Sequence, residues 1–170
     1  MYKIAIIGFG NIAQKFHFPA WLRNNKSKVV AICDKNISML KKKHNFENYK
    51  TYTNIDTMIK NEDFNIVNIL TPPYLHFMQL KKLIKHNKKI LIEKPFVINN
   101  KEIKNIVKIS PKNSYIQCCY HQRFRPISIK IKDLIKKNVL GDIYYINIIH
   151  RKFRSIPKHS EVFSKKKFSG

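Results

Sequence analysis

Ile4-Ala5-Ile6-Ile7-Gly8-Phe9-Gly10-Asn11-Ile12-Ala13 opens the chain and decides how the rest of it is read. The unbroken apolar run Ile4 to Ile7 is the pattern of a strand covered on both faces. Gly8 permits a tight turn, Gly10 leaves the backbone bare so that an anion can approach, and Ala13 is small enough for a helix to pack closely on the strand. A helix that starts at this turn offers unpaired N–H groups and a partial positive charge. Glycines in the order G-x-G-x-x-A between strand and helix therefore suit a pyrophosphate, with Gly8, Gly10, Asn11 and Ile12 as the expected contacts. A second strand, Val29 to Cys33, runs into Asp34. A carboxylate at that distance accepts hydrogen bonds from adenosine ribose hydroxyls. A dinucleotide is the ligand this order of strand, turn, helix and acid predicts. The charge on Asp34 repels a 2′-phosphate, which favours NAD over NADP, and the neighbouring Lys35 softens that repulsion.

Working outward, strand-length apolar runs alternate with segments of helical period. Ile12 to Arg23 reads as a helix, Ser38 to His44 as a short helix, Tyr49 to Tyr52 as a short strand, and Ile55 to Lys60 as a helix. Asn65 to Leu70 is a strand, and Leu75 to His86 a helix with Leu75, Met78, Leu83 and Ile84 on one side. Lys89 to Ile92 is a strand, Asn99 to Ile109 a helix with Ile103, Ile106 and Val107 at helical spacing, and Ser114 to Cys119 a strand. Such alternation predicts an α/β fold, a Rossmann-type doubly wound parallel sheet over residues 1–121. The character changes after Tyr120. Pro126 opens a helix whose Ile127, Ile131, Leu134 and Ile135 line one face, Gly141 ends it, and Ile143 to Ile149 reads as a strand. Residues 122–170 are expected to be the incomplete start of a second α/β domain.

Two further motifs follow strands, where ligands of open α/β sheets sit. Thr71-Pro72-Pro73-Tyr74-Leu75-His76 has prolines that stiffen its turn. Glu93-Lys94-Pro95 projects charged groups into the same crevice, and a Lys partly desolvated there would move toward useful acid–base range.

The chain has 170 residues and a net charge of +24, from 34 Lys and Arg against 10 Asp and Glu. The lysines are spread over every predicted helix and are not interleaved with aromatic residues as a stacking platform would require. The charge therefore reads first as a solvated surface, with polyanion binding by a basic protein as the third reading, and no specific nucleic acid is expected. No stretch is apolar and long enough to span a bilayer. Cys33, Cys118 and Cys119 form no C-x-x-C pair, so they are expected as packed, reduced thiols of a cytoplasmic protein, with no metal site.

Together these residues resemble the Gfo/Idh/MocA (glucose–fructose oxidoreductase-like) family. The matching pieces are Gly8 to Ala13 with His17 and Pro19, Asp34, Thr71-Pro72-Pro73 with His76, Glu93-Lys94-Pro95, and Arg123-Phe124 with Pro126. The resemblance implies an NAD(P)-dependent oxidoreductase of two domains, a homo-oligomer in its full-length form, acting on a hydroxyl or ketone of a sugar, cyclitol or nucleotide-sugar. By that carry-over Lys94 is the catalytic residue at the reacting oxygen. Thr71, Pro72, His76 and Glu93 lie along the cofactor, and Arg123 near the substrate. The family's D-x-G-x-H stretch, which supplies the acid–base pair from the second domain, is not found in this sequence. His150 and His159 carry no argument as replacements. The expectation is a fragment with little activity by itself, or a non-catalytic NAD-binding module.

Overall fold

The computed structural model describes residues 1–42, 44–149 and 151, which fall into two units. The first unit, residues 1–119, is built on β1 (Tyr2–Ile7), β2 (Ser27–Cys33), β3 (Lys50–Tyr52), β4 (Ile66–Ile69), β5 (Lys89–Ile92) and β6 (Ile116–Cys118). All pairings are parallel, in the order β3-β2-β1-β4-β5-β6. That is the doubly wound order, whose strand succession reverses between β1 and β4. The crevice at that reversal is where the glycine turn emerges.

Side chains alternate across β1. Ala5 and Ile7 enter one apolar cluster with Met58, Phe64, Leu80, Leu83 and Ile106, while Ile4 and Ile6 enter another with Phe9, Ala13, Val29 and Ile37. Both faces are covered, which is why β1 shows no polar alternation. Each fully buried aliphatic or aromatic chain contributes roughly 1.5–3 kcal/mol, so the sheet needs no disulfide. Helices α3 (Ile55–Asn61), α4 (His76–Ile84) and α5 (Asn100–Ile109) feed the first cluster. Helices α1 (Phe18–Arg23) and α2 (Ile37–Lys41) flank the second. Asn54 caps α3 through bonds from the Asp56 and Thr57 amides, and Asn99 caps α5 through the Glu102 amide.

Several sequence expectations need correction. The helix over Ile12 to Arg23 contains a widened π-type turn, Ala13–His17, closed by a bond from the Phe18 amide to the Ala13 carbonyl. Pro19 has no N–H to continue an ordinary ladder, and the wider turn accommodates its ring. On α4 the inward row is His76, Gln79, Leu80, Leu83 and Ile84; Met78 is exposed. Two polar residues on the buried face disguise the period, because both are hydrogen-bonded there. On α5 only Ile106 is buried, with Ile103 and Val107 facing outward.

The second unit starts at Tyr120. It contains a 3-10 turn, His121–Phe124, and α6 (Pro126–Lys136), none of whose residues is buried. Residues 143–149, expected as a strand, form no strand among the described residues, and their apolar side chains are exposed. A strand is held by its neighbour's hydrogen bonds, and β-rich composition alone does not provide them. His150, His159 and nearly all of the expected basic tail lie outside the described residues.

Candidate functional site

The carboxyl ends of the strands form one edge, and hydrogen bonds continue past the strands to align it. The Gly8 amide donates to the Cys33 carbonyl (2.8 Å), Leu70 to Ile7 (2.7 Å), Glu93 to Ile69 (2.9 Å) and Cys119 to Ile92 (2.8 Å). Asp34, Gly8, Thr71, Glu93 and Cys119 therefore stand in sequence along the edge, each one or two residues beyond its strand.

At the first end, Phe9 is buried between edge-on contacts to Phe18 (5.2 Å) and Phe46 (5.1 Å), which anchors the glycine turn. Its amide donates to Asp34 Oδ2 at 2.7 Å, and the Asn36 amide donates to Oδ1 at 2.8 Å. Asp34 and the turn are thus joined directly. Gly8 has φ +87, and a Cβ there would lie 2.8 Å from Thr71 Cγ2 and 2.9 Å from the Leu70 carbonyl carbon. The close approach of two loops, as well as the turn, demands glycine. A Cβ at Gly10 would meet no protein atom within 4 Å. Gly10, Asn11 and Ile12 are exposed, while Ala13 is fully buried. An open cleft beside β3, lined in part by Lys41, Lys42, His44, Phe46 and Tyr49, borders the ring cluster around Phe9.

In the middle, the Thr71 hydroxyl donates to Gln79 Oε1 at 2.6 Å. His76 is completely buried. Its Nε2 faces the Thr71 carbonyl (2.9 Å) and its Nδ1 the Pro95 carbonyl (2.8 Å). The structure gives His76 a different part from the expected one along a ligand. Enclosed by backbone carbonyls, its ring clips the Thr71-Pro72-Pro73 turn to the Glu93-Lys94-Pro95 turn and presents no face outward.

At the far end, Asn68 is a polar residue with no exposed surface in the middle of β4. Its Oδ1 accepts from Trp21 Nε1 at 2.8 Å and pairs with His17 Nδ1 at 3.1 Å, while its Nδ2 donates to the Leu91 carbonyl at 3.2 Å. The indole can only donate, which fixes the amide's orientation and makes His17 Nδ1 the donor. His17 Nε2 then faces Glu93 Oε1 at 3.0 Å, and the Lys94 amide donates to Glu93 Oε2 at 2.9 Å. An imidazolium satisfies both acceptors. Burial opposes the charge on Glu93 and is the largest single influence. The His17 hydrogen bond, the Lys94 amide and the positive charges of both residues together hold the carboxyl below the ordinary glutamate value of 4.5. A lowered folded value stabilises the fold above that ordinary value and is lost as pH falls through the folded one. Glu93→Gln is therefore expected to flatten the acid limb of stability below about pH 5, read by urea unfolding at a series of pH values. An unchanged acid limb refutes the charged pair.

The Lys94 side chain is exposed, so the desolvation expected of it is absent from this chain. Arg123 belongs to the second unit, exposed in the turn His121–Phe124. Asn68, Trp21, Cys119 and the anchoring role of Phe9 were not foreseen. A lone Asn inside the run Ile66-Val67-Asn68-Ile69 was the signal available for the first.

A family model described as an oxidoreductase family with an NAD-binding Rossmann fold matches residues 2–121. Oxidoreductase P35 of Formosa agariphila is 32% identical over 142 residues, which covers 81% of this chain and 44% of that protein. The D-glucoside 3-dehydrogenase of Escherichia coli is 22% identical over 144 residues, covering 84% of this chain and 41% of that one. Among solved structures, the WlbA dehydrogenase from Bordetella pertussis in complex with NADH and UDP-GlcNAcA superposes with a TM-score of 0.76 at 21% identity. The match covers 84% of this chain and 44% of that one. The scyllo-inositol dehydrogenase from Lactobacillus casei with NAD(H) and scyllo-inositol gives 0.75 at 21% identity, covering 84% and 43%. The chain thus spans less than half the length of these relatives. Among the described residues, no helix is long and apolar enough to cross a membrane.

Proposed function

Because the chain belongs to the Gfo/Idh/MocA oxidoreductase family, with its NAD-binding Rossmann fold, we propose that it binds NAD(H) along the carboxyl edge of its sheet and forms the cofactor-holding half of a dehydrogenase. The substrate class is a hydroxyl or ketone of a sugar, cyclitol or nucleotide-sugar, supported by the ligands and names of the relatives above. The observation that carries the reading is the direct bond between Phe9, inside the glycine turn, and Asp34 at the end of β2. It brings the glycine turn and the Asp34 carboxylate side by side, which supports the turn as a diphosphate cradle and Asp34 as a ribose acceptor.

The residues present fit the cofactor. Gly10 is bare where a side chain would project, and the start of the helical run offers the amides of Asn11 and Ile12. A carboxylate has about four acceptor positions, and two protein amides occupy Asp34, so ribose hydroxyls can be accepted as well. Thr71 and Pro72 form a stiff wall, held from behind by His76. Glu93 is held in place by His17 and by the Lys94 amide. When bound, the nicotinamide supplies the hydride chemistry. Lys94 would hold or move the proton at the reacting oxygen, and Arg123 would meet the substrate.

Titration of the chain with NADH, followed by cofactor fluorescence, is expected to saturate at one equivalent; no saturable uptake refutes the reading. Asp34→Arg removes charge-assisted hydrogen bonds of roughly 1.5–3 kcal/mol. It is expected to shift the NADH-to-NADPH affinity ratio toward NADPH by about tenfold or more. An unchanged ratio in a variant with native circular dichroism would show that Asp34 does not receive the ribose.

A further inference from the structure

At the far end of the same edge, the sheet gathers three ligand types of different chemistry. His17 comes from the π-type turn, Glu93 follows β5 and Cys119 follows β6. A His17 ring nitrogen, a Glu93 carboxylate oxygen and Cys119 Sγ all lie within 4.8 Å of one another, each residue is partly buried, and Nε2 is the His17 nitrogen that faces Glu93. We propose that this cluster is a site for a soft divalent transition metal, zinc in the first instance, bound by His17 Nε2, Glu93 and Cys119 with a fourth position open.

Three features separate the cluster from a chance meeting of polar groups. The first is the ligand set: imidazole, carboxylate and thiolate together suit zinc, whereas calcium and magnesium prefer oxygen alone. The second is orientation from behind. A metal-ligating histidine almost always donates its other ring N–H to a fixed acceptor. Here His17 Nδ1 does so to Asn68 Oδ1, which is itself pinned by the Trp21 indole and by the Asn68 bond to Leu91. Nε2 is thereby aimed at the cluster. The third is distance. Zinc–nitrogen and zinc–sulfur bonds of about 2.0 and 2.3 Å in tetrahedral geometry put ligand atoms roughly 3.5 Å apart. The His17–Glu93 pair is already at 3.0 Å. Cys119 needs only a side-chain adjustment, while its backbone is held by the bond from its amide to Ile92.

Without metal, burial first, then the charge of Glu93 and the neighbouring Cys118, push the Cys119 thiol up to about 12. Zinc takes a thiolate sulfur and a neutral imidazole nitrogen, so coordination is expected to release protons. The sequence reading expects no metal, because its cysteines form no C-x-x-C pair; only the parallel sheet brings positions 17, 93 and 119 together.

The test is a titration of the whole 170-residue chain with cobalt(II), followed by competition with zinc. One equivalent is expected to produce thiolate-to-cobalt charge-transfer absorption, which zinc abolishes. Calorimetry in buffers of different ionisation heat should show proton release. Cys119→Ala is expected to lose the absorption and His17→Gln to weaken binding by about tenfold or more, while Cys118→Ala keeps both. No charge-transfer absorption in the parent chain, or its survival in Cys119→Ala, overturns the proposal. The unmodified protein provides a check that does not depend on a variant folding. Zinc should slow alkylation of Cys119 by about tenfold or more, read by peptide mass spectrometry, and unchanged labelling overturns the site. None of these readouts involves NADH, so the metal site and the cofactor reading stand or fall separately.

Discussion

Gly8→Ala is expected to lower stability by about 2–5 kcal/mol, whereas the same substitution two residues later, Gly10→Ala, is expected to leave the fold intact and weaken cofactor binding. At Gly8 the backbone is left-handed and a Cβ would meet the Leu70 and Thr71 backbone under 3.0 Å away. Left-handed strain of roughly 1–2 kcal/mol adds to an overlap costing about 1–3 kcal/mol. Neither β1 nor β4 can yield, since both are central in the sheet. Thermal unfolding should drop by about 10 °C or more. Gly10 has a conformation open to L-residues, and its added methyl meets no protein atom within 4 Å. Stability should hold or rise by about 0.4–1 kcal/mol, while NADH affinity is expected to fall about 10-fold or more, equivalent to about 1.4 kcal/mol, because in the proposed binding mode the methyl would stand in the path of the diphosphate. Unimpaired NADH binding by Gly10→Ala would mean that the turn does not hold the cofactor.

Asn68→Leu is expected to cost about 3–5 kcal/mol, although it makes β4 more apolar. The leucine has no acceptor for the Trp21 indole N–H or His17 Nδ1–H, and no donor for the Leu91 carbonyl. Each stranded group costs about 1–3 kcal/mol. The chain's single tryptophan is one of the bereaved donors, so its emission reports the change directly. Urea unfolding gives the magnitude. A loss below about 1 kcal/mol would show that the network does not hold α1 to the sheet, and the orientation of His17 would need another cause.

The layout of the first unit was legible from local pattern. Strands such as Ile4 to Ile7 and Lys89 to Ile92 are covered on both faces, so their apolar runs are unbroken and hard to mistake. Helix faces were read less well where polar residues look inward. His76 and Gln79 occupy the buried row of α4 because they bind loop atoms, both of them those of Thr71 and His76 also that of Pro95, and no periodicity records such partners. Ile143 to Ile149 failed in the opposite direction: its composition is that of a strand, but pairing is a property of two segments.

From the sequence alone came the alternation of strand and helix, the glycine turn with its acid at 34, and the family. All of these rest on spacings of a few residues or on the period of one element. The tertiary structure alone decided that Gly8 must be bare because Thr71 comes against it, that His76 is a clip behind the site, and that Asn68 aims His17 at Glu93 and Cys119. Apart from the short link of His76 to Thr71, these contacts join residues at least 19 positions apart, and their distances exist only once parallel strands from distant parts of the chain lie side by side.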